Sequence, residues 1–407
     1  FHIDRIIIVK INQKSMNKIL IVNTGSDSHK YALYGEGIQV ARFHFEREDA
    51  GFVVRVKSGN KDEKLVISAE DYQSPVVLVF KILIDKKIIL DSSEISLIGI
   101  RIVAPGEYFL THNIIDDQYL LKLKEAKQSA PLHIESIIRE IEQLSKILPG
   151  VKIGGVSDST FHQGLPEVAR RYAIPEKDCV DFSIYRYGYH GISIASIVRK
   201  IELLYGSVPE NTIVCHLGSG SSITALKNGK SVDTSMGFTP LEGLPMGSRV
   251  GNIDPGAVIA LGQKKELNFV ELEKYFNNEC GLLALSGSTK DIRELIALEN
   301  KGDKRAKLAL DSFAYNIKKY IGSYIAVLGG LNLLVFTATI GERSSIMRER
   351  ICSGLGGLGL VLDRNKNDLM IDTDGEISDD YTQIKIAVIS TDEMGEIKEA
   401  LLGQQLF

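Results

Sequence analysis

An α/β fold assembled from two similar halves is what this sequence predicts, and three observations carry the prediction. Residues 19–23 form an apolar run closed by Asn23, residues 24–28 a Gly/Ser turn, and residues 30–34 with Gly35 the return of a hairpin. The same order recurs at residues 212–216, 217–222 and 223–226, where Lys227-Asn-Gly-Lys230 closes the second hairpin. A third unit follows, with a strand at 333–338, a loop over 339–342 and a helix from about Ser345. Strands alternating with helices build helix-covered sheets, and 407 residues suffice for two domains with a cleft between them.

Each element has a local cause. The run 18–22 is short, apolar and stopped by Asn23-Thr-Gly-Ser, as a buried strand entering a turn should be. Alternation at 31–34, and again from Val40 to about Ser68, predicts an antiparallel meander. Residues 134–148 carry apolar side chains at helical spacing until Pro149-Gly150 ends them. Residues 151–156 then make a strand that leads into Ser157-Asp158-Ser159. A long helix is predicted over 311–328, ended by Gly329 and Gly330 before the next buried strand. Two nucleotide-loop spacings are coincidental. Gly354-Leu-Gly-Gly-Leu-Gly359 follows a helix instead of a strand, and reads as a helix stop. Gly229-Lys230-Ser231 lacks the first glycine of a P-loop, because Thr224 stands there.

Composition excludes several classes of function. With 44% hydrophobic and 25% charged residues and a formal charge of -4, nothing argues for nucleic acid or an acidic membrane as partner. The apolar stretches are short or interrupted, by Lys81 in 75–84 and by Gly329, Gly330 and Asn332 in 325–340, so no membrane span is expected. Cys179, Cys215, Cys280 and Cys352 are scattered without a CxxC, which indicates neither zinc nor disulfides and fits a reducing cytoplasm. Residues 1–15, ahead of Met16 and a good strand, read as an upstream extension.

The Gly/Ser turns are the candidate phosphate loops. Small residues let backbone N–H groups approach an anion, Ser26, Ser28, Ser219 and Ser221 add hydroxyls, and Lys30 adds a point charge. Ordinary hairpin turns are the alternative for either loop taken singly.

Longer motifs carry a resemblance. Asn23-Thr-Gly-Ser-Asp-Ser-His-Lys30 resembles the first signature of the acetate kinase family, and Asp233-Thr-Ser-Met-Gly-Phe-Thr-Pro-Leu-Glu-Gly243, continuing through Met246-Gly-Ser-Arg249 to Asp254-Pro255, resembles its second. Asp158-Ser-Thr-Phe-His-Gln163, Arg186-Tyr-Gly-Tyr-His-Gly191, Leu285-Ser-Gly287 with Asp291 and Arg293, residues 336–342 and Thr391-Asp-Glu393 match further family motifs in the same order. The resemblance runs from about Met16 to the C-terminus. It implies the actin, sugar kinase and heat-shock chaperone superfamily, with two duplicated ribonuclease H-like domains. The boundaries expected are 16–161 plus 395–407 for the N-terminal domain and 162–394 for the C-terminal, nucleotide-binding domain.

The implied reaction is reversible phosphorylation of acetate by ATP to acetyl phosphate and ADP, by direct in-line transfer. A carboxylate is already a nucleophile, so the task is to bring two anions together and stabilise charge on the moving phosphoryl group. The resemblance implies Asp158, His190 and Arg249, by their places in the motifs, and Arg101, which matches the family's other active-site arginine, as catalytic residues, with Arg101 also binding the acid. Val103, Leu132 and Pro240 match the pocket for its methyl group. ATP is assigned to Ser26, Ser28, Lys30, His216, Gly218, Ser219, Gly220, Asp291, Arg293, Gly341 and Glu342. Magnesium is assigned to Asn23 and Glu393; His133 and His162 are read as structural or as lining the cleft. The resemblance also implies a homodimer.

Departures from the family pattern surround the ligand loops. Ala104-Pro105 stand in place of His-Gly, Ile194 in place of histidine, Asp27 of serine, Thr339 of glycine, Arg343 of asparagine and Asn252 of aspartate. They leave open a preference for propionate or another short acid, and a nucleotide-binding homologue without catalysis.

Overall fold

The computed structural model describes residues 18–25, 28–48, 51–127 and 131–403, the side chains of 131–133 excepted. It divides into two units, Phe1–Ile100 with Arg139–Gly154, and Arg101–Ile138 with Gly155–Phe407. The sequence groups residues 101–138, 155–161 and 395–407 with the first half; by contacts 101–138, 155–161 and 395–403 cluster with the second unit. The expectations for residues 1–15, Ser26 and Asp27 fall outside the described residues, as does the side chain of Leu132.

In the first unit, β1 (Lys18–Thr24), β2 (Ser28–Gly35), β3 (Ile38–Glu48), β4 (Gly51–Ser58) and β5 (Lys61–Ile67) form an antiparallel meander, and β1 pairs in parallel with β6 (Ile95–Ile102). Alternation makes the sheet two-faced. Tyr31, Phe43 and Val56 lie opposite one another in register and are buried, while the neighbouring row of Lys30, His44, Arg55 and Lys64 is half-buried to exposed. The helix Pro75–Asp85 buries Val76, Val79, Phe80 and Leu83 at helical spacing. The Tyr31 hydroxyl donates to Glu140 Oε1 at 2.7 Å inside this core.

In the second unit, after the short β7 (Asn113–Ile114) and the end of β8 (Lys152–Ser157), a six-stranded sheet runs in the order β11-β10-β9-β12-β14-β13. Its strands are β9 (Asn211–Leu217), β10 (Ser221–Lys227), β11 (Lys230–Thr234), β12 (Leu333–Thr337), β13 (Gly375–Glu376) and β14 (Lys385–Val388). Again β9 is antiparallel to the next strand, β10, and parallel to a later one, β12. The order β3-β2-β1-β6 is thus repeated as β11-β10-β9-β12, which is the duplication expected from the two Gly/Ser turns. One face is covered by the helix Lys304–Leu328, whose Ala306, Leu310, Phe313, Ile317 and Ile321 are buried with Ile213, Cys215, Ile223 and Phe336. On the other face the helix Gly191–Tyr205 contributes Ile194, Ile197 and Ile201, with Val214, Leu226 and Val335.

One expected loop is a helix. β12 ends at Thr337 and residues Ala338–Arg343 are helical, where a turn was expected over 339–342. Ala338 takes a left-handed backbone, φ 64°, and its N–H donates to Glu342 Oε1 at 2.9 Å, closing the first turn from within. The glycine-rich stretch near Gly354 follows the helix Ser345–Cys352, as the sequence indicated. Among the described residues no helix is long and apolar enough to cross a membrane.

Candidate active site

The site is organised around Asp158, which follows β8 and is fully buried. Its N–H donates to the Ile102 carbonyl at 2.9 Å, fixing it beside the end of β6. Oδ2 accepts from Arg101 Nη2 at 2.7 Å and from the His190 N–H at 2.8 Å. Oδ1 is buried and has no hydrogen-bond partner among the described residues. A buried carboxylate oxygen left open is costly, and so points to a ligand, water or cation. Burial works against the charge on Arg101, but Asp158 and then Glu393 outweigh it and raise its pKa. Glu393, at the head of the helix Glu393–Gly403, therefore shares the electrostatic neighbourhood of this pair.

His190 caps the helix Gly191–Tyr205 in a left-handed conformation, φ 60°, unusual for a side chain of this size. Asp158 holds it there twice, through its carboxylate and through its own carbonyl, which accepts from the Gly191 N–H at 2.8 Å. Gly191 is required, since a Cβ would lie 2.4 Å from the Asp158 carbonyl oxygen. The His190 ring stacks on that of His216, 4.0 Å between centroids and 24° apart in plane. Nδ1 of His190 bonds Ser222 Oγ at 2.9 Å, and Nδ1 of His216 bonds Ser193 Oγ at 2.8 Å. Burial first, then His216, Arg101 and Arg249, push the pKa of His190 well below its usual value, so the ring is neutral at pH 7.

Between β9 and β10 lies the turn Gly218-Ser219-Gly220, closed by Gly218 N–H to the Gly220 carbonyl at 3.0 Å. A Cβ built on Gly220 would lie 3.1 Å from His190 Nε2 and 3.5 Å from Arg249 Nη1. The imidazole edge and the guanidinium therefore converge on the open face of this turn.

Arg249 sits in an irregular segment tied down by distant residues. Its Nη1 donates to the Pro240 carbonyl at 3.3 Å and approaches Met246 Sδ at 3.7 Å. The Pro240 stretch is held in turn by Glu242, which accepts from Arg186 Nη2 at 2.8 Å and from the Tyr172 hydroxyl. The Tyr172 oxygen accepts from the Phe238 N–H at 2.8 Å. Val103 packs on Tyr189, Met236 and Met246, so an apolar patch adjoins the guanidinium. The sequence reading named Val103 and Pro240 but missed Tyr189, Met236 and Met246, although all three stand inside the motifs it quoted.

The remaining residues assigned from sequence fall into three groups. Ser28, Lys30 and Asn23 belong to β1 and β2 of the first unit, with Asn23 in register with Lys30. Asp291 caps the helix Ile292–Asn300, accepting from the Arg293 N–H at 2.8 Å and from its guanidinium Nε at 3.0 Å. Gly341 and Glu342 lie in the helix Ala338–Arg343, and Glu342 Oε1 also accepts from the Thr391 N–H at 3.0 Å. Glu342 is thus a structural tie between this helix and the segment that follows β14. His162 is buried, its Nδ1 bonded to Ser231 Oγ at 2.8 Å, and burial lowers its pKa to about 4, which fits a structural role. Among the described residues no three His, Cys, Asp or Glu side chains gather as a metal site.

Comparison with known proteins accords with this geometry. A profile of the acetokinase family matches residues 18–399. Acetate kinase of Dictyoglomus turgidum (strain DSM 6724 / Z-1310) is 40% identical over 388 residues, 92% of this chain and 95% of that protein. Acetate kinase of Caldanaerobacter subterraneus subsp. tengcongensis is 42% identical over 385 residues, 92% and 96% of the two chains. Among solved structures, Porphyromonas gingivalis acetate kinase superposes with a TM-score of 0.83 at 33% identity, covering 95% of this chain and 99% of that one. A propionate kinase from Francisella tularensis subsp. tularensis SCHU S4 superposes with a TM-score of 0.85, also at 33% identity and with the same coverage.

Proposed function

This chain belongs to the acetokinase family, with its actin-like ATPase fold, and from that premise we propose that it transfers the γ-phosphoryl group of ATP reversibly to acetate. A carboxylate oxygen forms the new bond to phosphorus, the bond to the ADP oxygen breaks, and no proton need move. The observation that carries this reading is the convergence of His190 and Arg249 beside the Gly218-Ser219-Gly220 turn, with Asp158 holding both the His190 N–H and Arg101. Two guanidinium groups and a neutral imidazole N–H suit a phosphoryl group passing between two anions, where fixed donors in a dry site act most strongly.

In this reading Arg249 and His190 act on the phosphoryl oxygens, and Arg101 grips the acid, its fork held by Asp158. Val103, Leu132 and Pro240 receive the methyl group, joined by Met236 and Met246. Ser26, Ser28, Lys30, His216, Gly218, Ser219 and Gly220 hold the phosphates; Asp291, Arg293, Gly341 and Glu342 lie along the nucleoside, Glu342 by closing the first turn of its helix. Magnesium, when bound, neutralises phosphate charge. Asn23 and Glu393 are its assigned ligands, and the unpaired Asp158 Oδ1 is the hard oxygen that a magnesium-bound water would meet. We further assign the chain to a homodimer in the cytoplasm, where its four buried free thiols are compatible with a reducing environment.

Propionate is a second substrate to expect, because Met236 and Met246 make an adaptable wall. One methylene discriminates by only about 1–3 kcal/mol. The test is trapping of acyl phosphate with hydroxylamine, using MgATP and acetate, propionate or butyrate. Acetohydroxamate should form fastest. ATP binding without hydroxamate from any acid would leave a nucleotide-binding homologue.

A further inference from the structure

We propose that Ser222 is a positioning residue that holds His190 as the Nε2–H tautomer, aiming its single ring N–H at the Gly218-Ser219-Gly220 turn. The inference deepens the proposed function and rests on it for its kinetic consequence, though not for the tautomer.

Ser222 lies on β10, fully buried, and its hydroxyl bonds His190 Nδ1 at 2.9 Å. A serine hydroxyl carries one hydrogen, and Ser222 Oγ makes no other side-chain hydrogen bond among the described residues. If Nδ1 bore the imidazole hydrogen, it would donate to Ser222, and the hydroxyl hydrogen would be left buried without an acceptor. If Ser222 donates to Nδ1, both the hydroxyl hydrogen and Nδ1 are satisfied, and the imidazole hydrogen must reside on Nε2. Nε2 is the atom 3.1 Å from the point where a Cβ on Gly220 would stand, next to Arg249 Nη1.

Three features agree with that assignment. The ring is neutral, held so by burial and by the cations around it, so one nitrogen carries the hydrogen and the other must accept. The backbone N–H of His190 is spent on Asp158, which fixes the ring's origin and leaves tautomer choice to Ser222. Finally, the stacked partner His216 has the same contact, Nδ1 to Ser193 Oγ at 2.8 Å. A hydroxyl thus sits behind each imidazole on the side of the ring carrying Nδ1. This geometry gives a phosphate a neutral N–H donor while withholding an imidazole lone pair from phosphorus.

The tautomer is read by nitrogen NMR of protein labelled with 15N-histidine, which has 8 histidines to resolve, the His190 signal being identified by its loss in His190→Asn. The result expected is a hydrogen on Nε2 in the unaltered protein, and a mixture of tautomers in Ser222→Ala. Turnover in Ser222→Ala should fall about 10-fold with KM for acid and ATP nearly unchanged, and Ser222→Thr should restore most of it. A hydrogen on Nδ1 in the unaltered protein overturns the inference, even if Ser222→Ala does not fold. Unchanged tautomer and turnover in a folded Ser222→Ala overturn it equally. If the unaltered protein makes no acyl phosphate, the functional reading fails while the nitrogen spectrum still decides the tautomer.

Discussion

The two sheets share a strand order and differ in what stands beside their first turn. In the first unit, Asn23 on β1 is in register with Lys30, and the row continues across the sheet through His44, Arg55 and Lys64. These side chains are half-buried to exposed, and several are balanced by Glu46 and Glu48. In the second unit, His216 on β9 is in register with Ser222 on β10, both buried, with His190 stacked alongside. In the proposed reading the first turn offers a phosphate the point charge of Lys30, on a half-buried side chain. The other has beside it buried imidazoles, each bonded to a serine hydroxyl and stacked on the other. Duplication supplied the backbone twice, and among the described residues the stacked imidazoles with their serine partners stand beside the second turn, where the proposed reading puts the fixed donors.

The strongest way to sharpen this contrast is to remove a fixed donor. Arg249→Ala should lower turnover by roughly 10³-fold, while ATP affinity, measured by calorimetry, changes far less. An unaltered rate would take Arg249 out of the mechanism. Asp158→Asn comes next. It keeps the shape but weakens the hold on Arg101 and on the His190 N–H, and turnover should fall about 10²-fold. Lys30→Ala in the first unit should behave differently, raising KM for ATP about 10-fold, equivalent to ~1.4 kcal/mol, with a smaller change in turnover. Equal losses in kcat from Lys30→Ala and Arg249→Ala would break the contrast.

A further effect is on stability instead of rate, and again separates the units. Burial raises the Glu140 carboxyl to about 7, with the Tyr31 hydroxyl bonded to it partly opposing the shift. Its folded pKa lies above the unfolded value of 4.5, so the native state keeps a proton that the unfolded chain has lost. Stability should therefore fall as pH rises from about 4.5 to about 7, by up to on the order of 3 kcal/mol, and then level off. Glu140→Gln, which keeps an acceptor for Tyr31, should melt higher than the unaltered protein at pH 7.5 and equally at pH 4.5. Parallel melting curves at both pH values would contradict this.

Much of the fold was legible because it is written locally. Period-two alternation in residues 31–68 fixes which face of the meander is buried, and the Gly/Ser turns after Asn23 and His216 mark the duplication. The motifs likewise located Asp158, His190 and Arg249. What sequence did not disclose depends on contacts between distant residues. The helix Ala338–Arg343 was read as a loop because its end is tied by Glu342 to the Thr391 N–H, 49 residues away. Glu242 is held by Tyr172 and Arg186, 70 and 56 residues earlier, and no local pattern marks such a clamp. Ser222 looked like one more small residue in a turn; its significance lies in the ring it faces.

The central claim is that these groups stabilise a phosphoryl group in flight and never accept it, because His190 faces the turn with a hydrogen on Nε2. Configuration at phosphorus tests that directly, using ATP made chiral at its γ-phosphorus with oxygen isotopes and acetate as acceptor. Inversion in the acetyl phosphate formed is the expected result, the mark of one in-line displacement. Retention would require a phosphorylated enzyme group between donor and acceptor, and would contradict the assignment made to His190.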